Sequence, residues 1–364
     1  MNIGIYQPWI YQRGGMEKDI LCFAKNSKHK IIFYTNNYNP KNTFRDFKKF
    51  KVIQLNTTPV ERDFISNIKT ILTILNTKIP KEPKIDVLLV STGGFGELIS
   101  LNYNERQFLF CHTPIRAFHD EKFKKHGIQS SLFKIPYVML EKKAFSKYSK
   151  IIVHSQNVKN RIVNDKLADS RKIKKVYGCT KIYKKSNVFK KYFFAPGRIH
   201  WTKGFEKIIE EFKEFEKKNK GFNLIIGGNY DQKNKKYYEK LKKLINPRIQ
   251  ILTNTTEKQF DKLYEECYCV IFNGLNEDWG LVNLEGFAHG KPVISINEGG
   301  PLEQVINGKN GFLCKENEFH EKMSYVASHP EKVKKMGEFA FSFVKKYSEK
   351  EFARQIDEIL EKLD

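Results

Sequence analysis

The chain has 364 residues, a formal net charge of +24 and 40% hydrophobic residues, enough for two domains with packed cores. No run of about 18 apolar residues occurs, which excludes a membrane-spanning helix, and the opening NIGIYQP has neither the basic segment nor the cleavage site of a signal peptide. The six cysteines (22, 111, 179, 267, 269 and 314) are scattered, and Cys267-Tyr268-Cys269 lacks zinc-ligand spacing, so they read as reduced thiols of a cytosolic protein.

Short apolar runs rich in β-formers alternate with amphipathic helical ones. In the first half, strands are expected over 2–7, 30–35, 51–55, 85–91, 107–112, 150–154 and 172–177, with helices near 15–26, 64–77, 130–147 and 156–166. This alternation predicts a parallel sheet covered by helices on both faces. GCTKIYKKSNVFKK then breaks the pattern and reads as a linker. The alternation restarts at YFFAPG (192–197) and continues through FNLIIGG, IQILTN, CYCVIFNG and KPVISIN. Helices follow near 204–219, 235–245, 257–266, 281–289 and 301–306. Two more close the chain, 317–342 with a break at Pro330 and 349–363. The expected architecture is α/β, two Rossmann-like domains facing each other across a cleft, because open α/β sheets bind ligands at the carboxyl ends of their strands. The expected boundaries are 1–186 for the first domain, 187–348 for the second, and 349–364 for a helix crossing back to the first.

The charge is unevenly placed. Residues 1–190 carry +22 and residues 191–364 only +2, with +15 in 121–190. That asymmetry points to an anionic partner for the first half, either nucleic acid or an anionic membrane surface. Segment 122–150 mixes Lys122, Lys124, Lys125, Lys134, Lys142, Lys143, Lys147 and Lys150 with Phe123, Leu132, Phe133, Ile135, Tyr137, Leu140 and Phe145. This is the composition of a helix at a membrane interface, although the same apolar residues could form a core-facing stripe.

Chemistry is concentrated at strand-to-helix turns. Gly14-Gly15 precedes the first helix, where backbone amides can approach an anion; alone the pair is weak evidence, because an ordinary turn explains it more simply. FAPGRIHWTKG puts Gly197, Arg198 and Lys203 at a strand end, a guanidinium and an ammonium able to clamp a diphosphate. FLFCHTPIRAFHD ends a strand at His112; His119, His126, His154 and His200 receive no role, and no metal-ligand spacing links them. There is no Asp-x-Asp, the carboxylate pair that would hold a divalent ion on a nucleotide diphosphate. In NEDWGLVNLEGFA, Glu277 lies in a loop and Glu285 on the helix after it. A buried carboxylate without a partner is penalised, so two of them beside helix-terminal amides (Gly280, Leu281, Val282) suit a ligand both hydroxyl-rich and anionic, such as a nucleotide-sugar.

These residues resemble a known family. EDWGLVNLE is similar to the E-x7-E motif of the family 4 retaining glycosyltransferases (group 1), which have the GT-B fold, and GFAHGKPVISINEGGPLEQVINGKNGFL is similar to that family's next block. The resemblance extends over nearly the whole chain through the Gly-Gly loop, CHTPIR, IIVHSQNVKNRI, GRIHWTKG and IIGG, and is strongest from 192 to 314. It implies transfer of a hexosyl residue from a UDP- or GDP-linked sugar to a glycan or lipid-linked acceptor, without a metal cofactor. It implies that Glu277 holds the donor sugar's hydroxyls, Glu285 the ribose, and Arg198 with Lys203 the leaving diphosphate. Gly14 and Gly15 would close over that diphosphate, His112 would lie near the transferred sugar, and Gly299 and Gly300 would bring amides to the donor. CHTPIR is similar to segments of mannosyl-type members. Two departures stand out: Asn273-Gly274 where the family often has Pro-Ser, and Tyr177-Gly178-Cys179 where it often has Tyr-Pro-Pro. The expected location is cytoplasmic and peripheral on the inner face of a membrane. A nucleotide-sugar epimerase of this architecture and a basic nucleic-acid-binding protein are the rival readings.

Overall fold

The computed structural model describes residues 1–61, 63–124 and 131–362 and, for 124, 131 and 132, the backbone alone. Lys125 and His126 lie outside the described residues. In chain order the elements begin with β1 (Asn2–Tyr6), α1 (Gly15–Asn26), β2 (Lys30–Thr35), β3 (Lys51–Gln54), α2 (Phe64–Asn76), β4 (Val87–Thr92) and β5 (Gln107–Cys111). Then come α3 (Arg116–His119), α4 (Glu121–Lys124), α5 (Ser131–Ser146), β6 (Ile151–Val153), α6 (Gln156–Asn164) and β7 (Ile173–Lys175). Next are β8 (Tyr192–Pro196), α7 (Phe205–Lys218), β9 (Asn223–Gly227), α8 (Lys235–Lys242), β10 (Ile249–Leu252), α9 (Glu257–Glu266), β11 (Cys269–Phe272) and α10 (Leu281–Ala288). The last are β12 (Val293–Ile296), α11 (Pro301–Gln304), β13 (Gly311–Cys314), α12 (Phe319–Ser328), α13 (Pro330–Val344) and α14 (Glu349–Glu361). Trp9–Ile10 and Asn37–Tyr38 form a separate two-stranded pair.

The chain divides into two compact units, residues 1–178 with 349–364, and residues 179–348. The sequence-based boundary at 186/187 falls eight residues late. Thr180 bridges Ser348 and the Ser186 amide donates to the His289 carbonyl at 3.1 Å, so the first part of the expected linker is built into the second unit.

The first unit holds a seven-stranded parallel sheet in the order β3-β2-β1-β4-β5-β6-β7. The strands read as continuous apolar runs because helices cover both faces; VLLVST of β4 is buried throughout. Tyr6, Ile32, Leu88, Val90, Leu109, Tyr148 and Val153 anchor its core. α14 belongs to this unit. It buries Phe352, Ala353, Ile356 and Leu360, and Asp357 accepts from the Ser27 hydroxyl at 2.7 Å and the Lys28 amide at 3.2 Å, satisfying donors beyond the end of α1.

α5 corrects the reading of segment 122–150. Tyr137 and Phe145 are buried and belong to the core-facing stripe rather than to an interface. The outward face instead carries Ile135, Met139, Lys142, Lys143 and Lys147. Exposed Phe64, Ile65 and Leu72 of α2 extend the apolar surface, with the Phe64 and Phe133 rings in edge contact at 5.7 Å.

The second unit holds a six-stranded parallel sheet in the order β10-β9-β8-β11-β12-β13. β13 was not expected from the sequence; GFLC is short and lies inside a loop-like, Gly- and Asn-rich block. α7 shows why its residues form a helix here. Phe205, Ile208, Ile209, Phe212 and Phe215 recur at helical spacing and are all buried, which makes one apolar stripe against the sheet. α9 starts with a reciprocal capping box between Thr256 and Gln259. In both sheets the strand order reverses beside the first strand, between β1 and β4 and between β8 and β11, and each reversal is a topological switch point where such sheets bind ligands.

Candidate active site

The switch point of the second unit gathers four of the expected residues. Arg198 follows β8 and is exposed, Lys203 ends the same turn, Glu277 lies in the loop after β11, and Glu285 is one turn into α10. Lys203 Nζ forms an ion pair with Glu277 Oε2, with both side chains partly exposed at 19% and 24%, and lies 5.5 Å from the Phe272 ring centroid. The positive charge of this turn is felt by its neighbour: His200 is pushed below its ordinary value, first by burial and then by Arg198 and Lys203.

The Glu277 loop is tied on both sides. Toward the β8 turn, the Leu275 amide donates to the Thr202 carbonyl at 2.8 Å and the Asn273 side chain to the Gly204 carbonyl at 3.3 Å. Asn273, the departure from the Pro-Ser pattern, therefore ties the two loops together. Toward β12, the Asn276 amide donates to Glu298 at 2.5 Å, the Gly300 amide to the Glu277 carbonyl at 2.8 Å, and Gln304 to the Trp279 carbonyl at 2.7 Å. The Gly300 amide is thus spent on the loop, which corrects the expectation that it reaches a ligand. Both Gly299 and Gly300 are required for packing. A Cβ at Gly299 (φ +65°) would lie 2.4 Å from the Glu277 carbonyl oxygen, and one at Gly300 2.2 Å from that of Trp279. These glycines let β12's exit press against the loop that carries the acid.

Glu285 is half-buried and accepts from the Tyr264 hydroxyl at 2.8 Å through Oε2. Tyr264 is in turn stacked on His289 at 5.3 Å and 8°. α10 begins after Gly280 in the left-handed region (φ +84°) with no side-chain cap, so its first amides, including Leu281 and Val282, form a positive helix end beside the two acids. Gly197 (φ +149°) ends β8, where its carbonyl approaches Gly228 so closely that a Cβ there would sit 1.9 Å away.

In the first unit, Gly14 caps α1 without a side-chain bond. A Cβ on it would lie 2.5 Å from the Glu17 carboxylate, so its bareness makes room for a buried acid. His112 follows β5 with both ring nitrogens engaged: Nε2 lies 2.9 Å from the Ser91 hydroxyl and Nδ1 3.4 Å from Asp19 Oδ2. His154, left without a role in the sequence, contacts the same Asp19 oxygen at 3.0 Å. The ligand-type atoms of Asp19, His112 and His154 lie within 4.8 Å of one another, a grouping that no spacing in the chain announces.

Residues 180–343 match the family model described as glycosyl transferases group 1. The second unit carries a group 1 glycosyltransferase domain. Over its full length this glycosyltransferase is 24% identical to the α-1,3/1,6-mannosyltransferase ALG2 of Dictyostelium discoideum, covering 98% of that relative. It is 32% identical to human ALG2 over 39% of the chain, which spans 36% of the human protein. Among solved structures it is similar to Anabaena HepE in complex with UDP (TM-score 0.79, 16% identity, both chains covered in full). It is also similar to a Thermosynechococcus elongatus sucrose-phosphate synthase (TM-score 0.77, 15% identity, 99% and 98% covered). These likenesses establish the GT-B fold.

Sequence reasoning missed three of the groups that shape these sites: Asp19, Tyr264 and His154. Each sits among helical or strand neighbours with nothing local to mark it, and its partner lies 21 or more residues away.

Proposed function

We propose that this glycosyltransferase moves a hexosyl unit, specifically mannosyl, from a nucleoside diphosphate sugar to a hydroxyl of a glycan or lipid-linked acceptor, with retention at the anomeric carbon. The observation that carries the reading is the Lys203–Glu277 ion pair at the second switch point, flanked by Arg198 and by Glu285 at the start of α10. The names of the full-length and human relatives support the mannosyl assignment.

The division of labour follows from charge. Arg198 and Lys203 neutralise the diphosphate as its bond to the anomeric carbon breaks, a preorganised stabilisation that commonly supplies the largest share of the rate. Glu277, oriented by Lys203 and by a loop fastened at both ends, accepts from the sugar hydroxyls. The acceptor oxygen bonds the anomeric carbon on the face the phosphate leaves, and its proton passes to the departing phosphate oxygen. A carboxylate engaged by a lysine makes a poor nucleophile, which disfavours double displacement through Glu277.

Glu285, oriented by the Tyr264 hydroxyl, accepts from the ribose. Glu285→Ala raises the donor KM about tenfold, the worth of one charge-assisted hydrogen bond, and leaves kcat within about threefold; steady-state kinetics with varied donor check it.

The direct test incubates the protein with a panel of UDP- and GDP-sugars and candidate acceptors. Transfer from the mannosyl donor is the expected result. Epimerised sugar without transfer, or salt-sensitive binding to oligonucleotide alone, overturns the reading. The same assay run in EDTA keeps its rate, because Arg198 and Lys203 supply the positive charge at the diphosphate. Complete loss on chelation, restored by Mg²⁺ or Mn²⁺, overturns that part.

A further inference from the structure

The segment that leads into the second unit is fastened to the turn after α10, one helical turn beyond Glu285. The Ser186 amide donates to the His289 carbonyl at 3.1 Å. Lys291, fully buried, donates through Nζ to the Val188 carbonyl and lies 3.9 Å from the Phe189 ring centroid. Burial pulls its ammonium down to about 8. Gly290 (φ +75°) lies close beneath the segment: a Cβ on it would meet Lys185 Cγ at 2.8 Å and the Ser186 carbonyl oxygen at 3.4 Å. Residues 185–189 and 289–291 therefore pack as one piece, although 181–190 has no regular secondary structure.

This fastening delivers Tyr183 to a stack of rings. Tyr183 lies on His289 with centroids 4.1 Å apart and planes at 25°, and the Lys181 ammonium lies 5.0 Å from the Tyr183 centroid. His289 in turn lies parallel to Tyr264, at 5.3 Å and 8°. Phe194 and Phe260 meet Tyr264 edge-on at 5.0 and 5.8 Å, so His289 supplies the parallel contact that fixes the plane of the tyrosine. The Tyr264 hydroxyl donates to Glu285 at 2.8 Å, and His289 Nδ1 donates to the Glu285 main-chain carbonyl, also at 2.8 Å. His289 therefore holds Glu285 twice, at the backbone directly and at the carboxylate through Tyr264. His289 Nε2 is buried without a hydrogen-bond partner among the described residues. The orientation of the imidazole thus depends on Nδ1 and on the rings packed against it.

We propose that Tyr183 is a positioning residue for the donor: its ring holds His289 flat against Tyr264, and the Tyr264 hydroxyl thereby keeps the Glu285 carboxylate in place to receive the ribose. This role rests on the reading of Glu285 as the acid that holds the ribose. Tyr183 acts through two intervening rings on a ground-state contact, so its loss weakens donor binding and leaves the chemical step alone. A residue that served folding alone would lower stability at an unchanged donor KM.

The test is steady-state kinetics of the full chain with varied donor, alongside calorimetry of the matching nucleoside diphosphate, GDP or UDP, which keeps the ribose and lacks the transferred sugar. Tyr183→Ala is expected to raise the donor KM and the diphosphate Kd together by about fivefold, the worth of a stacked ring, with kcat within about threefold. Tyr183→Leu keeps bulk without an aromatic face and behaves like Tyr183→Ala. Tyr183→Phe keeps the ring and stays within about twofold of the unsubstituted protein. Tyr264→Phe raises both constants by about fivefold through loss of one hydrogen bond. The Tyr183→Ala/Tyr264→Phe double variant matches Tyr264→Phe within about twofold, because Tyr183 works through that hydroxyl. An unchanged donor KM in Tyr183→Ala overturns the proposal, as does a Tyr183→Phe no better than Tyr183→Ala. So does a double variant about 25-fold weaker, the product of two independent effects. If Glu285→Ala moves neither constant, the ribose assignment is wrong and the role of Tyr183 falls with it. A rise in Glu285→Ala without one in Tyr183→Ala strikes Tyr183 alone.

Discussion

Replacing Glu277 with alanine lowers kcat/KM for transfer by about 10²–10³-fold, the cost of removing one preorganised polar group from a transition state (about 3–4 kcal/mol). The substitution removes the sugar's acceptor and also leaves Lys203 without the carboxylate that holds it. The fold survives because the side chain is partly exposed and packs in no core, while the loop keeps its backbone ties to Thr202, Glu298 and Gly300. Glu277→Gln keeps the acceptor oxygen but weakens the hold on Lys203, so its activity lies between the two. Kinetics together with a thermal melt within about 2 °C of the unsubstituted protein check this. Undiminished turnover in Glu277→Ala would show that the acid takes no part in transfer.

The second large effect concerns the outward face of α5 and α2. Ile135, Met139, Phe64, Ile65 and Leu72 are exposed together with Lys142, Lys143 and Lys147, an apolar surface rimmed by bases as at a membrane interface. No helix among the described residues is long and apolar enough to cross a membrane. Each lysine near an anionic leaflet contributes about 1 kcal/mol, so exchanging three of them for glutamate replaces about 3 kcal/mol of attraction with repulsion. The expected result is that the unsubstituted protein sediments with anionic but not neutral liposomes, less so as salt screens the charges. Lys142→Glu, Lys143→Glu and Lys147→Glu together abolish the sedimentation. Equal recovery with both liposome types, or with neither, leaves the charge of the first half without a membrane role. The surface is coherent with an acceptor met at a lipid boundary, where its phosphate would be favoured by the same bases.

Much of this architecture was legible because parallel sheets buried on both faces write themselves as apolar runs. VLLV and FLFC could hardly be anything else, and α7 and α14 announce their apolar stripes. The Glu277 and Glu285 pair was legible because a carboxylate inside an apolar helix demands a partner. What local pattern could not convey was who the partners are. Asp19 reads as the solvated face of an amphipathic helix, yet it is buried against an imidazole 135 residues away. Tyr264 looks like a core aromatic and is one, but its hydroxyl orients Glu285. Gly299-Gly300 signals a tight approach without revealing that the approach is to the Glu277 loop. The apolar residues of α5 were split between core and surface by helix phase, which turns Tyr137 and Phe145 inward and Ile135 and Met139 outward.

Retaining transfer driven by charge at the second switch point requires that the leaving diphosphate and the incoming acceptor share one face of the sugar. The measurement that meets it most directly is nucleoside diphosphate release from the mannosyl donor, with the product's anomeric configuration read by NMR. The expected result is release that requires an acceptor, a product that keeps the donor's α configuration, and loss of both in Lys203→Ala. A β-linked product, or release and sugar epimerisation without acceptor, would contradict it.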